Sequence, residues 1–181
     1  MTKETGKMET RTMDIRYRPI GIIHSEYTNQ EETPIQGIFN SSSRGEVELF
    51  PEYVPGLNDL ESFSHIILLY HFHRATGCTL LQKPFLDGKK ERGIFAIRHF
   101  NRPNPIGISI VGLLAVRGNV LEVSGIDVLD GTPLLDIKPY VRQFDHREEA
   151  KSGWVDEQHI QDIGAWNSTP KELRKRERTN V

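Results

Sequence analysis

Charged and amide side chains cluster around a proline-rich segment in the middle of the sequence, namely Arg98, Arg102 and Asn104. Guanidinium groups bind carboxylates and phosphates, and amides bind the edges of bases. Pro103 and Pro105 fix their own φ angles and restrict the residues that precede them, so the backbone of this segment is stiff. Such side chains on a rigid loop are typical of a binding site, although solvated arginines on a proline-stiffened loop account for them equally well.

Three histidines, His65, His71 and His73, occupy odd positions of one predicted strand and therefore lie on one face. The spacing of His71 and His73 would suit a metal-binding β-barrel oxygenase, but no carboxylate follows within the next few residues. We therefore assign no metal ligands. A ligand contact by His73 at the end of the strand is the stronger functional prediction, and satisfied structural histidines are the commonest alternative.

Asp136, Lys138 and Tyr140 alternate along a later predicted strand and so share one face. A carboxylate, an ammonium and a phenol on one face could act as an acid–base or orienting set. An ordinary polar outer face with a weak surface ion pair accounts for the same pattern, and from the residues alone we favour it. A turn at residues 130–133, which contains a carboxylate, a hydroxyl and a glycine, lies just before this strand.

These side chains need elements that position them, and the sequence predicts mostly strands. Short apolar segments bounded by turn residues predict strands over residues 16–25, 45–50, 64–74, 93–98, 106–114, 120–126 and 134–140. The segment 64–74 is apolar on both faces at its centre, which predicts a buried strand. Arg117-Gly118-Asn119 predicts a tight hairpin. Because helices do not alternate with strands and no GxGxxG motif follows a strand, we expect a mainly β fold, an antiparallel barrel or sandwich with short helices, rather than a Rossmann domain.

The composition predicts a cytoplasmic globular protein. The 181 residues are 36% hydrophobic and 27% charged with a net charge of −2, and a single cysteine, Cys78, excludes an internal disulfide. The sequence has no apolar run long enough to span a membrane and no signal-peptide pattern. We expect a disordered leader at residues 1–14, one domain at residues 15–141 and an extension with a basic tail at residues 142–181. An excess of basic residues between 83 and 102 weakly indicates an anionic partner.

Three long motifs occur in the order SFSHIILLYHFHR, GIFAIRHFNRPNPIGISIV and IDVLDGTPLLDIKPY. Together they resemble the TsaA-like family of tRNA methyltransferases, also called the TrmO family, over residues 17–141. The resemblance implies a small single β-barrel that binds S-adenosylmethionine outside the Rossmann fold, usually as a homodimer. The implied reaction is methylation of the exocyclic nitrogen of threonylcarbamoyladenosine, next to the anticodon of threonine tRNA.

The resemblance also implies a set of cofactor-binding residues on separate segments. They are Pro34, Ile35, Gln36, His73, Arg74, Arg98, Ile108, Asp130, Gly131, Thr132 and Pro133. Arg98 can bind the methionine carboxylate through two hydrogen bonds, and Ile108 offers an apolar wall. Asp130 or Gln36 can bind the ribose or the adenine.

Methylation of a carbamoylated nitrogen requires the removal of a proton, so a base is expected. We predict that Asp136 accepts or orients this proton and that Lys138 and Tyr140 position the modified base, with His73 as the next candidate base. Two other classes of function remain open. One is a non-catalytic module that binds S-adenosylmethionine or a nucleotide, and the other is a histidine–metal β-barrel oxygenase.

Overall fold

Strand pairing closes a barrel in this protein. The computed structural model describes residues 15–86 and 89–157, so the predicted leader and the predicted basic tail lie outside the described residues. The strands are β1 Gly21–Ser25, β2 Arg44–Leu49, β3 His65–His71, β4 Leu81–Gln82, β5 Arg92–Gly93, β6 Ile106–Arg117, β7 Val120–Ser124 and β8 Thr132–Pro139. Six of them pair antiparallel in the order β1-β2-β7-β6-β3-β8, and β8 pairs with β1 to complete the barrel. This confirms the predicted mainly β, antiparallel barrel.

The helical segments are short. They are α1 Arg142–Asp145 and the 3₁₀ turns Gly37–Asn40, Pro51–Leu57, Leu60–Ser62, Ile94–Ala96 and Gly153–Glu157. Among the described residues, no helix has both the length and the apolar character needed to cross a bilayer.

One face of each barrel strand fills the interior. Ile23, Val47, Ile66, Leu68 and Leu121 are completely buried. Each such side chain contributes about 1.5–3 kcal/mol through the transfer of apolar surface out of water. Because side chains alternate along a strand, this burial fixes which side chains of the same strands point outwards.

The outer face of β6 is apolar. Ser109 and Val111 point into the barrel and are buried, whereas Ile106, Ile108 and Ile110 are 36%, 47% and 51% exposed. The alternation of apolar residues thus predicted the strand correctly, but the isoleucines lie on its outer side. Closure of the barrel decides this, since β6 must present the other face to the interior.

The predicted strand over residues 93–98 is wrong. Only Arg92 and Gly93 form a strand, β5, which pairs with β4, and Ile94–Ala96 is a 3₁₀ turn. Ile94 and Ile97 are both buried while Phe95 is 78% exposed. Apolar residues three positions apart lie on one side of a tight turn, so the same pattern that suggested a strand is satisfied by this turn.

Two further features of the chain are the hairpin after β6 and the return of the described C-terminal segment to the turn at residues 94–96. The predicted hairpin between β6 and β7 is confirmed, with Gly118 at a φ of 63°. At the other end of the described chain, Trp154 donates a hydrogen bond from Nε1 to the carbonyl of Ala96, 2.9 Å away. The extension that follows the barrel therefore returns to the 3₁₀ turn at residues 94–96.

Candidate active site

A cavity of about 360 Å³ opens at the end of the barrel where β3 ends and β6 and β8 begin. Six segments line it, namely the loop at residues 30–36, the end of β3 at 70–75, Phe85, the segment 95–102, the start of β6 at 106–108 and the loop at 127–132. Its volume lies in the range of pockets that hold small molecules. The fold therefore brings segments from six parts of the chain to one concave site.

Most of the predicted cofactor residues line this cavity. They are Pro34, Ile35, Gln36, His73, Arg74, Arg98, Ile108 and Thr132. Asp130, Gly131 and Pro133 do not belong to the lining. Asp130 instead accepts a hydrogen bond from the backbone N–H of Ser25 at 3.2 Å, and Gly131 takes a positive φ of 73°. These residues shape the loop that carries Thr132.

Arg74, Arg98 and Arg102 line the cavity and provide positive charge, and the first two also hold neighbouring loops. Arg98 donates from Nη1 to the side-chain carbonyl of Gln36, and Arg74 donates from Nη1 to the carbonyl of Thr28 at 2.6 Å. Both arginines are exposed. Because a guanidinium has five N–H donors, each arginine can hold its loop and still bind a carboxylate.

His73 is oriented by a neighbouring hydroxyl. Thr132 donates from Oγ1 to the carbonyl of Leu129 at 2.7 Å, so at its 3.3 Å contact with Nδ1 of His73 the hydroxyl accepts. Nδ1 therefore carries the proton and Nε2 is left as an acceptor. Burial, with the positive charge of Arg74, lowers the pKa of His73 below its usual value, which keeps the ring neutral near pH 7.

A buried hydrogen-bonded chain lies between β3, β6 and the loop after β7. Ser109 donates from Oγ to Oδ1 of Asp127 at 2.5 Å, and the Tyr70 hydroxyl donates to Ser109 at 3.0 Å. The N–H of Gly37 donates to Oδ2 of Asp127 at 2.8 Å. Burial raises the pKa of Asp127, while these donated hydrogen bonds oppose the rise.

Aromatic rings form another part of the cavity wall. His99 stacks on Phe85 with centroids 5.0 Å apart and lies 4.4 Å from the ring of Phe100. Nδ1 of His99 accepts a hydrogen bond from the N–H of Asn101, so the ring proton is on Nε2. Burial, with Arg102 nearby, lowers the pKa of His99 to about 4, and the ring is therefore a neutral aromatic surface.

Residues 22–146 match the tRNA-methyltransferase O N-terminal domain, which is most of the chain. The chain belongs to the tRNA-methyltransferase O family. This confirms the resemblance drawn from the three sequence motifs.

Several family members are similar over most of this chain. A relative from Pyrococcus abyssi is 54% identical over 78% of this chain and 77% of its own length. An S-adenosyl-L-methionine-binding protein from Archaeoglobus fulgidus is 41% identical over 71% of this chain and 91% of its own length. The tRNA (adenine(37)-N6)-methyltransferase of Homo sapiens is 36% identical over 78% of this chain, which spans only 32% of that protein.

A solved structure shows the same fold. The crystal structure of TrmO from Pseudomonas aeruginosa is 39% identical with a TM-score of 0.67, and the match covers 78% of this chain and 63% of that chain. This chain therefore corresponds to about two thirds of the crystallised family member.

The three residues predicted to be catalytic lie outside the lining of the cavity. Asp136 pairs with Lys138 at 2.8 Å, and the ring of Tyr140 lies 6.3 Å from that of His65. The pairing of β3 with β8 shifts register between Leu69 and Tyr70, and this bulge places Asp136 on the outer face. The catalytic roles of Asp136, Lys138 and Tyr140 stay a prediction for this family member.

Sequence reasoning missed other residues that line the cavity. Asp127 and Tyr70 were assigned no role, and neither were Phe95 and His99, whereas Arg102 had been singled out as a candidate binding residue on the proline-rich segment. A carboxylate directly after the apolar alternation of β7 was the available signal for Asp127. Within the described residues, no group of three or more histidine, cysteine, aspartate or glutamate side chains is arranged to hold a metal ion.

Proposed function

We propose that this family member is an S-adenosylmethionine-dependent methyltransferase that acts in the cytoplasm on the exocyclic nitrogen of an adenosine in tRNA. The observation that carries the proposal is the cavity itself, in which apolar and aromatic walls meet three arginines at the end of a closed barrel. Its relatives named for S-adenosylmethionine binding and for tRNA adenine methylation support both halves of the proposal.

The residues of the cavity suit S-adenosylmethionine. Arg98 would bind the methionine carboxylate, the amide of Gln36 would bind ribose or adenine, and Ile108 would pack against the apolar part. When bound, the cofactor supplies an electrophilic methyl group. The chain itself contributes alignment of the two reactants and exclusion of water, which are the main sources of rate for such a displacement.

We further propose that the acceptor is threonylcarbamoyladenosine in threonine tRNA. The threonyl group carries a second carboxylate, and the cavity offers an exposed arginine, Arg74, in addition to Arg98. Two carboxylates in one site need two cations, because an unpaired buried charge is costly. The resemblance of the sequence motifs to the family supports the same substrate.

The proton of the acceptor nitrogen needs a destination, and the chain offers two candidates. Asp136 is the residue that the motif suggests, but it is paired with Lys138 on the outer face. His73 lines the cavity, is neutral, and presents an unprotonated Nε2. We therefore propose His73 as the acceptor within one chain, and Asp136 as an acceptor that requires access from a second chain.

We propose that a second copy of this chain covers the outer face of β3 and β6. Ile110 lies opposite Ile67 there and Ile108 opposite Leu69, which makes one continuous apolar surface. Asp136 and Lys138 border this surface on β8. Across a twofold axis a carboxylate and an ammonium are self-complementary, and each protomer would offer this pair to its partner's site.

The function is tested with purified protein, labelled S-adenosylmethionine and threonine tRNA prepared with and without the threonylcarbamoyl group. We expect the labelled methyl group only in the tRNA that carries the threonylcarbamoyl group. Nucleoside mass spectrometry should locate the methyl group on the threonylcarbamoyladenosine. Binding of S-adenosylmethionine without transfer into any tRNA would show a binding module and refute the proposal. Equal labelling of both tRNAs would refute the substrate alone.

The proton acceptor is tested by single-turnover methylation with His73→Asn and Asp136→Asn. Loss of a general base lowers the rate about a hundred- to ten-thousandfold. We expect a loss of this size for His73→Asn at saturating S-adenosylmethionine, where a change in cofactor affinity does not affect the rate. If only Asp136→Asn shows this loss of rate, the outward-facing carboxylate of Asp136 is the base and a partner chain must complete the site.

A further inference from the structure

Phe95 is an apolar residue whose side chain is exposed to solvent at the cavity. Its side chain is 78% exposed, and it lines the cavity between two isoleucines, Ile94 and Ile97, that are 1% and 6% exposed. Single exposed apolar residues are common, so exposure alone indicates nothing. What distinguishes Phe95 is how firmly the chain holds it in this position.

Side chains and backbone from three other segments fix the turn that carries Phe95. Arg102 donates from Nη1 to the carbonyls of Ile94 at 3.0 Å and of Ile97 at 2.8 Å. Trp154 donates to the carbonyl of Ala96, and the N–H of Ile94 donates to the carbonyl of Leu80 at 2.9 Å. Four hydrogen bonds to its backbone groups hold this turn, so little backbone entropy remains to be lost when a ligand contacts the ring of Phe95.

The surroundings of Phe95 combine cations with aromatic rings. The guanidinium carbon of Arg102 lies 5.9 Å from the centroid of Phe95, and that of Arg92 lies 4.3 Å from the ring of Trp154. Lys89 and Lys90 precede this group in the chain. Alternating aromatic and basic side chains are typical of surfaces that bind unpaired nucleotides, because bases stack on the rings and phosphates pair with the cations.

We propose that Phe95, on the turn that Arg102 holds through two backbone carbonyls, is the stacking platform for the adenine base that accepts the methyl group. The inference rests on the proposed function. A cofactor held by Arg98 and Gln36 leaves the neighbouring exposed ring for the acceptor. A base must leave the stack of its own strand to reach a closed site, and an aromatic surface replaces the stacking that is lost.

The test measures binding of an RNA stem-loop with the anticodon loop of threonine tRNA by fluorescence anisotropy at one fixed salt concentration. The variants are Phe95→Ala, Phe95→Tyr and the control Phe144→Ala, which removes another phenylalanine that is 69% exposed. One lost base–aromatic stack weakens binding about ten- to a hundredfold, and we expect this for Phe95→Ala only. Phe95→Tyr retains a ring and should bind like the wild type.

The decisive comparison uses the same stem-loop with an abasic site in place of the acceptor adenosine. If Phe95 stacks on that base, Phe95→Ala and the wild type should bind the abasic RNA equally. An equal loss on both RNAs would overturn the proposal, and so would a parallel loss of S-adenosylmethionine affinity in calorimetry. A different result would refute the proposed function, namely a wild-type protein that does not methylate tRNA.

Discussion

At the scale of single residues, cavity side chains are also structural. Arg98 holds Gln36, Arg74 holds the carbonyl of Thr28, and the hydroxyl of Thr132 orients His73. A substitution in the cavity therefore removes a ligand contact and releases a loop at the same time. Each such effect needs a control that separates the two.

Arg98→Ala should weaken binding of S-adenosylmethionine about ten- to a hundredfold, the range expected for losing a hydrogen-bonded partner of a charged group. Isothermal titration calorimetry measures this affinity directly. The control is Arg117→Ala, because Arg117 is a 72% exposed arginine that pairs with Glu122 rather than with the cavity. Unchanged affinity in Arg98→Ala would remove the carboxylate assignment.

His99 should make stability depend on pH. Its pKa is about 4 in the folded protein against an ordinary value of 6.5, so the unfolded chain binds the proton more readily. The free energy of unfolding should fall by about 1–3 kcal/mol as the pH drops from 6.5 to 4, and His99 should add no further loss below that pH. Urea unfolding at a series of pH values measures the slope.

His99→Asn is the matched variant for that slope. The asparagine side chain can accept the hydrogen bond from the N–H of Asn101 but cannot be protonated. We expect lower stability at every pH, because the stacking on Phe85 is lost, together with a flatter dependence between pH 6.5 and 4. If the free energy of unfolding of the variant depends on pH as steeply as that of the wild type, titratable groups other than His99 cause the dependence.

At the scale of elements, the loop that carries Pro34, Ile35 and Gln36 is held against the barrel through Gly37. The N–H of Gly37 donates to Asp127, and its Cα packs on the carbonyl of Gly125. A Cβ at this position would lie 2.0 Å from the oxygen of Gly125, which is a backbone atom that cannot move aside cheaply. The close approach of the two backbone segments explains why residue 37 is a glycine.

Gly37→Ala should therefore displace this loop, and we expect both cofactor affinity and thermal stability to fall. A backbone shift of this kind typically costs about 1–3 kcal/mol. Gly56→Ala is the control, since a Cβ there would meet nothing within 4 Å. Calorimetry and thermal unfolding of the two variants give the comparison. Wild-type affinity in Gly37→Ala would show that the loop does not contribute to cofactor binding.

At the scale of the whole molecule, the barrel closes around its core and leaves an apolar outer face on β3 and β6. The exposed isoleucines of β6 lie beside Ile67 and Leu69, whose side chains are half-buried. Apolar surfaces that continue across neighbouring strands usually mark contacts between proteins. Ile106 and Ile108 also line the cavity, so an interface on this face would adjoin the site.

Ile110→Glu should convert a dimer to a monomer, because a buried carboxylate without a partner is strongly unfavourable at an interface. Size-exclusion chromatography with light scattering measures the mass. Leu81→Glu is the control, since Leu81 is also exposed but lies on β4, outside the barrel. A wild-type chain that is monomeric at micromolar concentration would contradict the proposed homodimer.

The sequence by itself determined the local features of this protein. Alternation placed the barrel strands, Arg117-Gly118-Asn119 placed a hairpin, and the three motifs identified the family. These features depend on neighbours in the chain, which a sequence shows directly.

Only the tertiary structure decided which side of each strand faces the site. The bulge after Leu134 turns Asp136 outwards, although an unbroken strand would keep it on the same face as Thr132. The tight turn at residues 94–96 exposes Phe95, and the closed barrel brings Asp127 beside Gly37. Strand register and barrel closure arise from pairs far apart in the chain, and no local pattern of residues encodes them.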